Sequence, residues 1–320
     1  SVEVKDSPDW LKKRLKSIDL KPINNIVDIS NFIQHEIGQP LHVFDYDKIQ
    51  DHKIIPRFAK SGEKLTTLDG EDRDLSENHF IIADSTQPLA LAGVLGGLES
   101  GVTESTSTIF IESAYFDPAV VRKTAKSFGL NTDASYRFER GTDPEMVGFA
   151  LTRAVNLILE IAGGEINSEI IDIYPEAIEP RQIEINFDQF NRFIGYDIPK
   201  EKSIEILKNL EIKILANNDI NILLEVPRYR PDIERQVDIY EEILRVYGFD
   251  NIPIPEKVNY IPSNINKNAP NKLRSKISNY LANIGFNEIM NNSLVPSRMY
   301  AEEEIKNAVH LLNPLSIDMD

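Results

Sequence analysis

The sequence has no cysteine. That excludes disulfides, thiolate zinc sites and a cysteine nucleophile, and it fits a reducing compartment, here expected to be the cytoplasm. No apolar run approaches the roughly 18 residues that a membrane span needs, so no membrane partner is expected. No signal peptide is visible. The first residue is Ser1 rather than Met, and residues 318–320 do not read as a terminal element, so both ends look like cuts within a longer protein. Histidine is sparse: His35, His42, His52, His79 and His310 are scattered, with no HExxH spacing. Positive charge is also short. Lys and Arg number 35 against 51 Asp and Glu, a net charge of −16. Diffuse attraction to nucleic acid or an anionic membrane is therefore unfavourable. Any RNA contact would run through local patches such as Lys12-Lys13-Arg14 or Arg122, Lys123 and Lys126, which read first as solvated helix faces.

What is present is the balance of a globular protein, 41% hydrophobic and 27% charged over 320 residues, enough for about two domains. Ser7-Pro8 reads as the cap of a helix over residues 9–18, and residues 23–37 as a strand-like lead into a helix broken by Gly38-Gln39-Pro40. From residue 53 to 116 the pattern turns to strands: 53–59, a hairpin across Asp69-Gly70, then 79–83, 88–95 and 108–115. Asp117-Pro118 opens a helix that Gly129 closes. A polar segment, Thr132 to Ser135, leads to Arg137-Phe138-Glu139-Arg140-Gly141. A core helix then runs from Asp143-Pro144 to Gly163-Gly164. One α+β domain through about Tyr174 is expected. Residues 175–180 read as an acidic, proline-bounded linker. A smaller unit follows, with a strand at 182–185, helices at 187–194 and 199–210, a hairpin across Asn217-Asn218-Asp219, and a helix from 234 to 247. Helices with a small hairpin resemble winged-helix architecture. After a linker at 253–255, a helix at 272–284 and a strand at 288–294 are too short to close a core of their own.

Three features carry possible chemistry. Glu112 lies inside an apolar strand, where a carboxylate is costly unless it pairs with an arginine such as Arg137 or Arg140, or meets a ligand donor. Gly96-Gly97 reads either as a turn needing positive φ or as a close backbone approach to a ligand. Asp238, Glu241 and Glu242 share one helix face, with Asp232 just before it. Such carboxylates repel unless an arginine or a hard cation such as Mg²⁺ answers them, and acidic residues are also favoured at a helix N-terminus. His42, after Gln39-Pro40, reads as a proton carrier or as a polar wall.

These segments, in order, resemble the β subunit of bacterial phenylalanyl-tRNA synthetase: NNIVDISNFI (24–33), GQPLHVFD (38–45), LALAGVLGG (89–97), FIESAYFDP (110–118), GLNTDASYRFERGTDP (129–144) and RPDIERQVDIYEEILRVYGFDNIP (230–253). The resemblance implies an α+β, multidomain chain: a mixed α+β B3/B4 editing domain at 1–174, a small winged-helix-like B5 domain at 179–253, and the start of a class II catalytic-like B6/B7 domain at 264–320. It implies hydrolysis of tyrosine mischarged onto tRNA(Phe), with Glu112 accepting from the tyrosine hydroxyl, His42 and Thr132 as further catalytic candidates, and Gly96 and Ala134 lining the pocket. Lys21 stands where the family commonly has arginine, which keeps the charge but loses the planar fork. The resemblance also places Mg²⁺ on Asp232, Asp238, Glu241 and Glu242. It leaves ATP to a partner α subunit in an (αβ)₂ heterotetramer. Two other classes fit parts of the chain: a structural module with an inactive pocket, and a nucleic-acid-binding protein acting through the winged-helix-like unit.

Overall fold

A computed structural model describes residues 1–320 except 219, 255, 258–259, 261–269, 317–318 and 320. It divides into two compact units, Ser1–Pro253 and Ile254–Asp320.

In the first unit, α1 (Asp9–Lys16) and α2 (Asn25–Ile37) precede β1 (Leu41–Asp45). The α2 helix starts because the Asn24 side chain accepts from the backbone N–H groups of Ile26 and Val27, and it stops at left-handed Gly38. No strand leads into it; that expectation is corrected, because Asn24 caps the helix at once. Pro8 occupies the N-cap of α1 without a side-chain bond, and the Ser7 hydroxyl instead donates to buried Asp28 at 2.5 Å. Ser7 is thus a tie between α1 and α2 rather than a cap.

Strands β2 (Ile55–Phe58), β5 (Phe80–Ala83), β6 (Pro88–Leu91) and β7 (Leu95–Gly96) form an antiparallel sheet in that order, flanked by the hairpin β3 (Lys64–Thr66) and β4 (Asp72–Asp74). The single strand expected at 88–95 is two strands. Gly93, at φ 68°, turns the chain between them. Strand β8 (Ile109–Ser113) leaves this sheet and pairs antiparallel with β1. Helix α3 (Pro118–Ser127) is capped by the Asp117 carboxylate. Residues expected as a polar loop form a short helix, α4 (Asp133–Phe138), because Thr132 and Ser135 make a reciprocal capping box. Helix α5 (Met146–Ile161) packs Ala150, Ala154, Leu157 and Ile158 against Ile26, Ile29 and Ile33 of α2. Each of those fully buried isoleucines contributes roughly 2 kcal/mol. A second core forms between β1, the four-stranded sheet, α3 and α4, and includes Phe44, Ile81, Leu91, Val121 and Phe138.

Residues 163–180 contain no helix or strand. Beyond them, β9 (Arg181–Asn186), α6 (Phe187–Ile194), α7 (Lys200–Asn209), β10 (Lys213–Asn217), β11 (Asn221–Val226) and α8 (Gln236–Tyr247) enclose a separate core around Phe190, Leu207, Ile222 and Ile239. The expected hairpin is β10–β11, and β9 adds a third antiparallel strand to it. Asp219 of its turn lies outside the described residues.

The second unit contains α9 (Pro270–Asn283) and the short α10 (Glu302–Ile305). Neither buries a residue, as a piece too short for its own core would behave. The strand expected at 288–294 is absent: those residues are exposed and pair with no other described segment. Part of the expected 253–255 linker and of the 264–320 segment lies outside the described residues. Among the described residues, no helix is long and apolar enough to cross a membrane.

Candidate functional site

The antiparallel pairing of β1 with β8 sets His42 directly opposite Glu112. Directly opposed residues in such a pair project to the same face. That face carries Phe44 and Phe110 into the sheet-side core, whereas Val43 and Ile111 pack on the α2–α5 side. The alternation of two residues per repeat therefore sends one carboxylate and one imidazole toward otherwise apolar surroundings. Both residues are half-buried, yet His42 Nε2 and Glu112 Oε2 are out of solvent contact and have no hydrogen-bond partner. Burial pushes the Glu112 carboxyl up to about 7 and the His42 imidazole down to about 4. Near neutral pH the imidazole is uncharged and the carboxyl is poised between its two forms.

Gly96 meets this pair from β7. A Cβ there would lie 2.4 Å from His42 Cε1, so only glycine lets the ring occupy its position. At Gly97 a Cβ would lie 2.4 Å from the Leu89 carbonyl oxygen. Neither glycine has positive φ. The turn explanation is corrected: these glycines are required by close approach of the protein's own atoms. The His42 ring is further held edge-on to Phe44, with centroids 4.4 Å apart.

Thr132 reaches the same hairpin from α4. Its hydroxyl donates to the Val94 carbonyl at 2.7 Å and accepts from Ser135 N–H at 3.0 Å. Ala134 packs against the sheet-side core. Lys21 is not brought to this group; it is exposed in the segment before α2. The core-arginine explanation of Glu112 is overturned as well. Arg137 is engaged with His35 and Asp133, and Arg140 with Glu139 and the ring of Tyr136. A surface recess of about 560 Å³ lies elsewhere, along Asp188, Asn191, Arg192 and Gly195. It holds no buried unpartnered polar atom, so the chemistry favours the His42–Glu112 face.

The acidic residues around α8 are arranged differently. Arg230 binds Asp232 through two contacts, 3.0 and 2.7 Å, and Glu242 at 3.0 Å. Arg245 grips Glu242 a second time, at 3.1 and 2.8 Å. Asp238 accepts from the backbone N–H groups of Glu234 and Arg235 and pairs with the Arg235 side chain at 3.1 Å. These partners hold all three carboxyls below their usual range: Arg230 for Asp232, Arg235 for Asp238, Arg245 and then Arg230 for Glu242. Glu241 is exposed. Among the described residues no group of three or more acidic or histidine side chains is disposed to hold a metal ion. In this arrangement the four residues do not fit Mg²⁺, because arginines already supply the positive charge. The sequence reading named an arginine as one possible answer to these charges but did not identify Arg230. It also missed the Val94 carbonyl and His35. RYRPD places Arg230 two residues before Asp232, a signal that was available; the other two partners are remote in sequence.

Comparison with known proteins fits this architecture. Residues 1–163 match the B3/4 domain model, residues 183–249 the tRNA synthetase B5 domain, and residues 254–320 the phenylalanyl tRNA synthetase beta chain CLM domain. The class is therefore that of multidomain aminoacyl-tRNA synthetase components. The whole chain is 45% identical to the phenylalanine–tRNA ligase beta subunit of Porphyromonas gingivalis, 43% to that of Bacteroides fragilis and 42% to that of Fusobacterium nucleatum. It covers 39%, 39% and 40% of those proteins, about two fifths of their length. The chain belongs to the phenylalanine–tRNA ligase beta-subunit family. An N-terminal fragment of the phenylalanyl-tRNA synthetase beta subunit from Pyrococcus horikoshii is 18% identical, over 78% of this chain and 69% of that one, with a TM-score of 0.36.

Proposed function

We propose that the face built by His42, Glu112 and Gly96 is an editing pocket that hydrolyses tyrosine mischarged onto tRNA(Phe). The observation that carries this reading is the opposed pair of buried, unpartnered polar atoms, His42 Nε2 and Glu112 Oε2. Tyrosine differs from phenylalanine by one hydroxyl. A synthetic site that is apolar rejects an added hydroxyl only weakly, whereas a second site built to bond that hydroxyl discriminates strongly. Glu112 would be satisfied by a phenol donor and left orphaned by a phenyl ring.

Within this proposal, Glu112 reads the hydroxyl. Neutral His42 offers either a lone pair or an N–H at Nε2, and its low basicity suits hydrogen bonding better than general-base work at neutral pH. Thr132, with its proton committed to Val94, acts by setting α4 against the hairpin. Water adds to the ester carbonyl, and the ribose oxygen departs with a proton. Lys21, the substrate-binding candidate implied by the resemblance, is exposed before α2 and takes no part in this group.

For the whole protein, the reading extends to a cytoplasmic β subunit that joins an α subunit in an (αβ)₂ assembly. The α subunit binds ATP and phenylalanine and charges tRNA(Phe). The assignment of residues 1–174 to editing, 179–253 to B5 and 264–320 to a catalytic-like domain belongs to the same proposal. No step runs through Mg²⁺.

The test is deacylation of tyrosyl-tRNA(Phe) by the intact enzyme carrying Glu112→Ala. The expected loss is on the order of a hundredfold or more, with charging of phenylalanine retained. Unimpaired hydrolysis would remove Glu112 from the site.

A further inference from the structure

Near the carboxyl end of α2, the ring of His35 packs against α4. Arg137 Nη2 donates to His35 Nδ1 at 3.0 Å, joining segments 102 residues apart. A guanidinium has no lone pair and does not lose its proton in proteins, so Nδ1 must be the acceptor. The His35 ring is therefore neutral, with its proton on Nε2. That Nε2 is buried and without a partner. Asp133 Oδ2 stands 3.9 Å from it, beyond hydrogen-bond reach. Arg137 is meanwhile anchored within α4: its Nη1 donates to the Asp133 carbonyl at 2.8 Å and faces Asp133 Oδ1 at 3.4 Å. The charged groups facing the ring are thus Arg137 and Asp133, both on α4. The neighbouring Glu36 on α2 is bound to Arg153 of α5 at 3.1 Å.

We propose that His35 and Arg137 form an acid-releasable latch that positions α4, and with it Thr132 and Ala134, against the β6–β7 hairpin. The positional part stands on the contacts alone; its consequence for hydrolysis rests on the editing reading above. Protonation would place a hydrogen on Nδ1, where the Arg137 N–H already points. Two donors and two positive charges would then face each other. Arg137 must leave, while the charged Nε2–H is drawn toward Asp133 Oδ2. Apart from this latch, the short helix α4 is held by its capping box, the Thr132–Val94 bond, and the packing of Ser135, Ala134 and Phe138, the last against Phe116.

The direction of the pH effect follows. Burial, and secondarily the Arg137 charge, lower the His35 imidazole below its ordinary value of 6.5, with Asp133 opposing weakly. The folded chain keeps the ring neutral where the unfolded chain would protonate it. The latch therefore contributes fully above about pH 6.5 and is lost as the pH falls through the depressed folded value.

The experiment is hydrogen exchange of residues 132–139 in the full-length subunit in its native assembly, at about pH 7.5 and at an acid pH below the fall of the His35 latch, located by a pH series, corrected for chemical exchange. Amides of α5 serve as the internal reference. Three proteins are compared: wild type, His35→Asn, whose Oδ1 takes the place of Nδ1 as acceptor for Arg137 but does not titrate, and His35→Leu, which has no acceptor. In wild type, acid should speed exchange in this segment on the order of tenfold, the scale of one charge-assisted hydrogen bond. His35→Asn should show no acid step, and His35→Leu should exchange fast at both pH values. An acid step in His35→Asn equal to that of wild type would overturn the latch, as would wild-type protection in His35→Leu at pH 7.5. Tyrosyl-tRNA deacylation is followed in parallel. If exchange behaves as described while no protein deacylates at any pH, the latch stands and the editing reading falls. If deacylation tracks exchange, with the acid loss absent in His35→Asn, both stand.

Discussion

Two groups of carboxylates in this chain face opposite circumstances. Around α8, Asp232, Asp238 and Glu242 are each answered by an arginine within 3.1 Å or less. On the β1–β8 pair, Glu112 has no cation, no donor and only a histidine opposite it. Burial alone does not separate them, because the Glu242 side chain is 10% exposed and also largely out of water. What separates them is compensation. A carboxylate whose charge is met within the chain needs no ligand to explain it. A buried polar atom left unmet costs folding energy, and a site that binds something can carry that cost. The comparison therefore leaves Glu112 as the carboxylate that the chain itself does not compensate, in keeping with the proposed site, and marks the α8 cluster as an internal ionic frame.

The comparison breaks most visibly if Glu112 does not behave as an unmet charge. Its folded value, about 7, lies above the ordinary 4.5. The folded state then holds more protons than the unfolded state between those values. Stability is full below about pH 4.5, falls as the pH rises through about 7, and stays low above it. Glu112→Gln has no such titration. Between pH 4.5 and pH 8 the variant should therefore gain up to about 3 kcal/mol on wild type, as measured by urea unfolding at each pH. Parallel pH profiles for the two proteins would show that the carboxylate is solvated or paired after all.

Arg230→Ala probes the other side. It removes one of two arginines from Glu242, which is largely buried, and the partner of Asp232, whose side chain is 61% exposed. The exposed pair contributes little. Losing the contact to Glu242, with Arg245 still in place, should cost about 2 kcal/mol in urea unfolding. Added Mg²⁺ should recover part of that loss in the variant while leaving wild type unmoved. Equal stabilisation of both proteins by Mg²⁺ would mean that a cation competes with Arg230 in the native chain, and the distinction between the two regions would fail.

The difference between the regions also explains what could be read in advance. Helix starts at Asp117-Pro118 and stops at Gly38 and Gly195 depend on nearest neighbours, and so the elements they bound were legible from local sequence. Glu112 was legible as an anomaly, because one charge in an apolar strand violates the period-two pattern. Its partner across the strand was not, since His42 and Glu112 lie 70 positions apart and the intervening chain carries no statement of register. Gly96 shows the same limit. Glycine there is demanded by a ring more than 50 residues earlier in the chain, and the sequence alone left the turn and close-approach explanations open. The break of the 88–95 run at Gly93 and the folding of 132–138 into α4 were missed for a nearer reason. In both places one or two residues, the left-handed Gly93 and the Thr132–Ser135 capping box, override the pattern around them.

Thr132 offers the finest discrimination, because it lies by position beside the β1–β8 face but has its bonds met within the chain, as the α8 cluster does. Its one proton goes to Val94 and one lone pair accepts from Ser135, so a role as proton donor would require it to leave Val94. Thr132→Ser keeps both bonds, whereas Thr132→Val keeps the shape and loses both. If the hydroxyl is structural, Thr132→Val should cost about 1 kcal/mol of stability, the usual worth of an N-cap, and deacylation should fall in proportion to the disorder of α4. Thr132→Ser should match wild type in both. A valine variant with wild-type stability but abolished hydrolysis would reverse the assignment, moving Thr132 from the frame of the pocket to its chemistry.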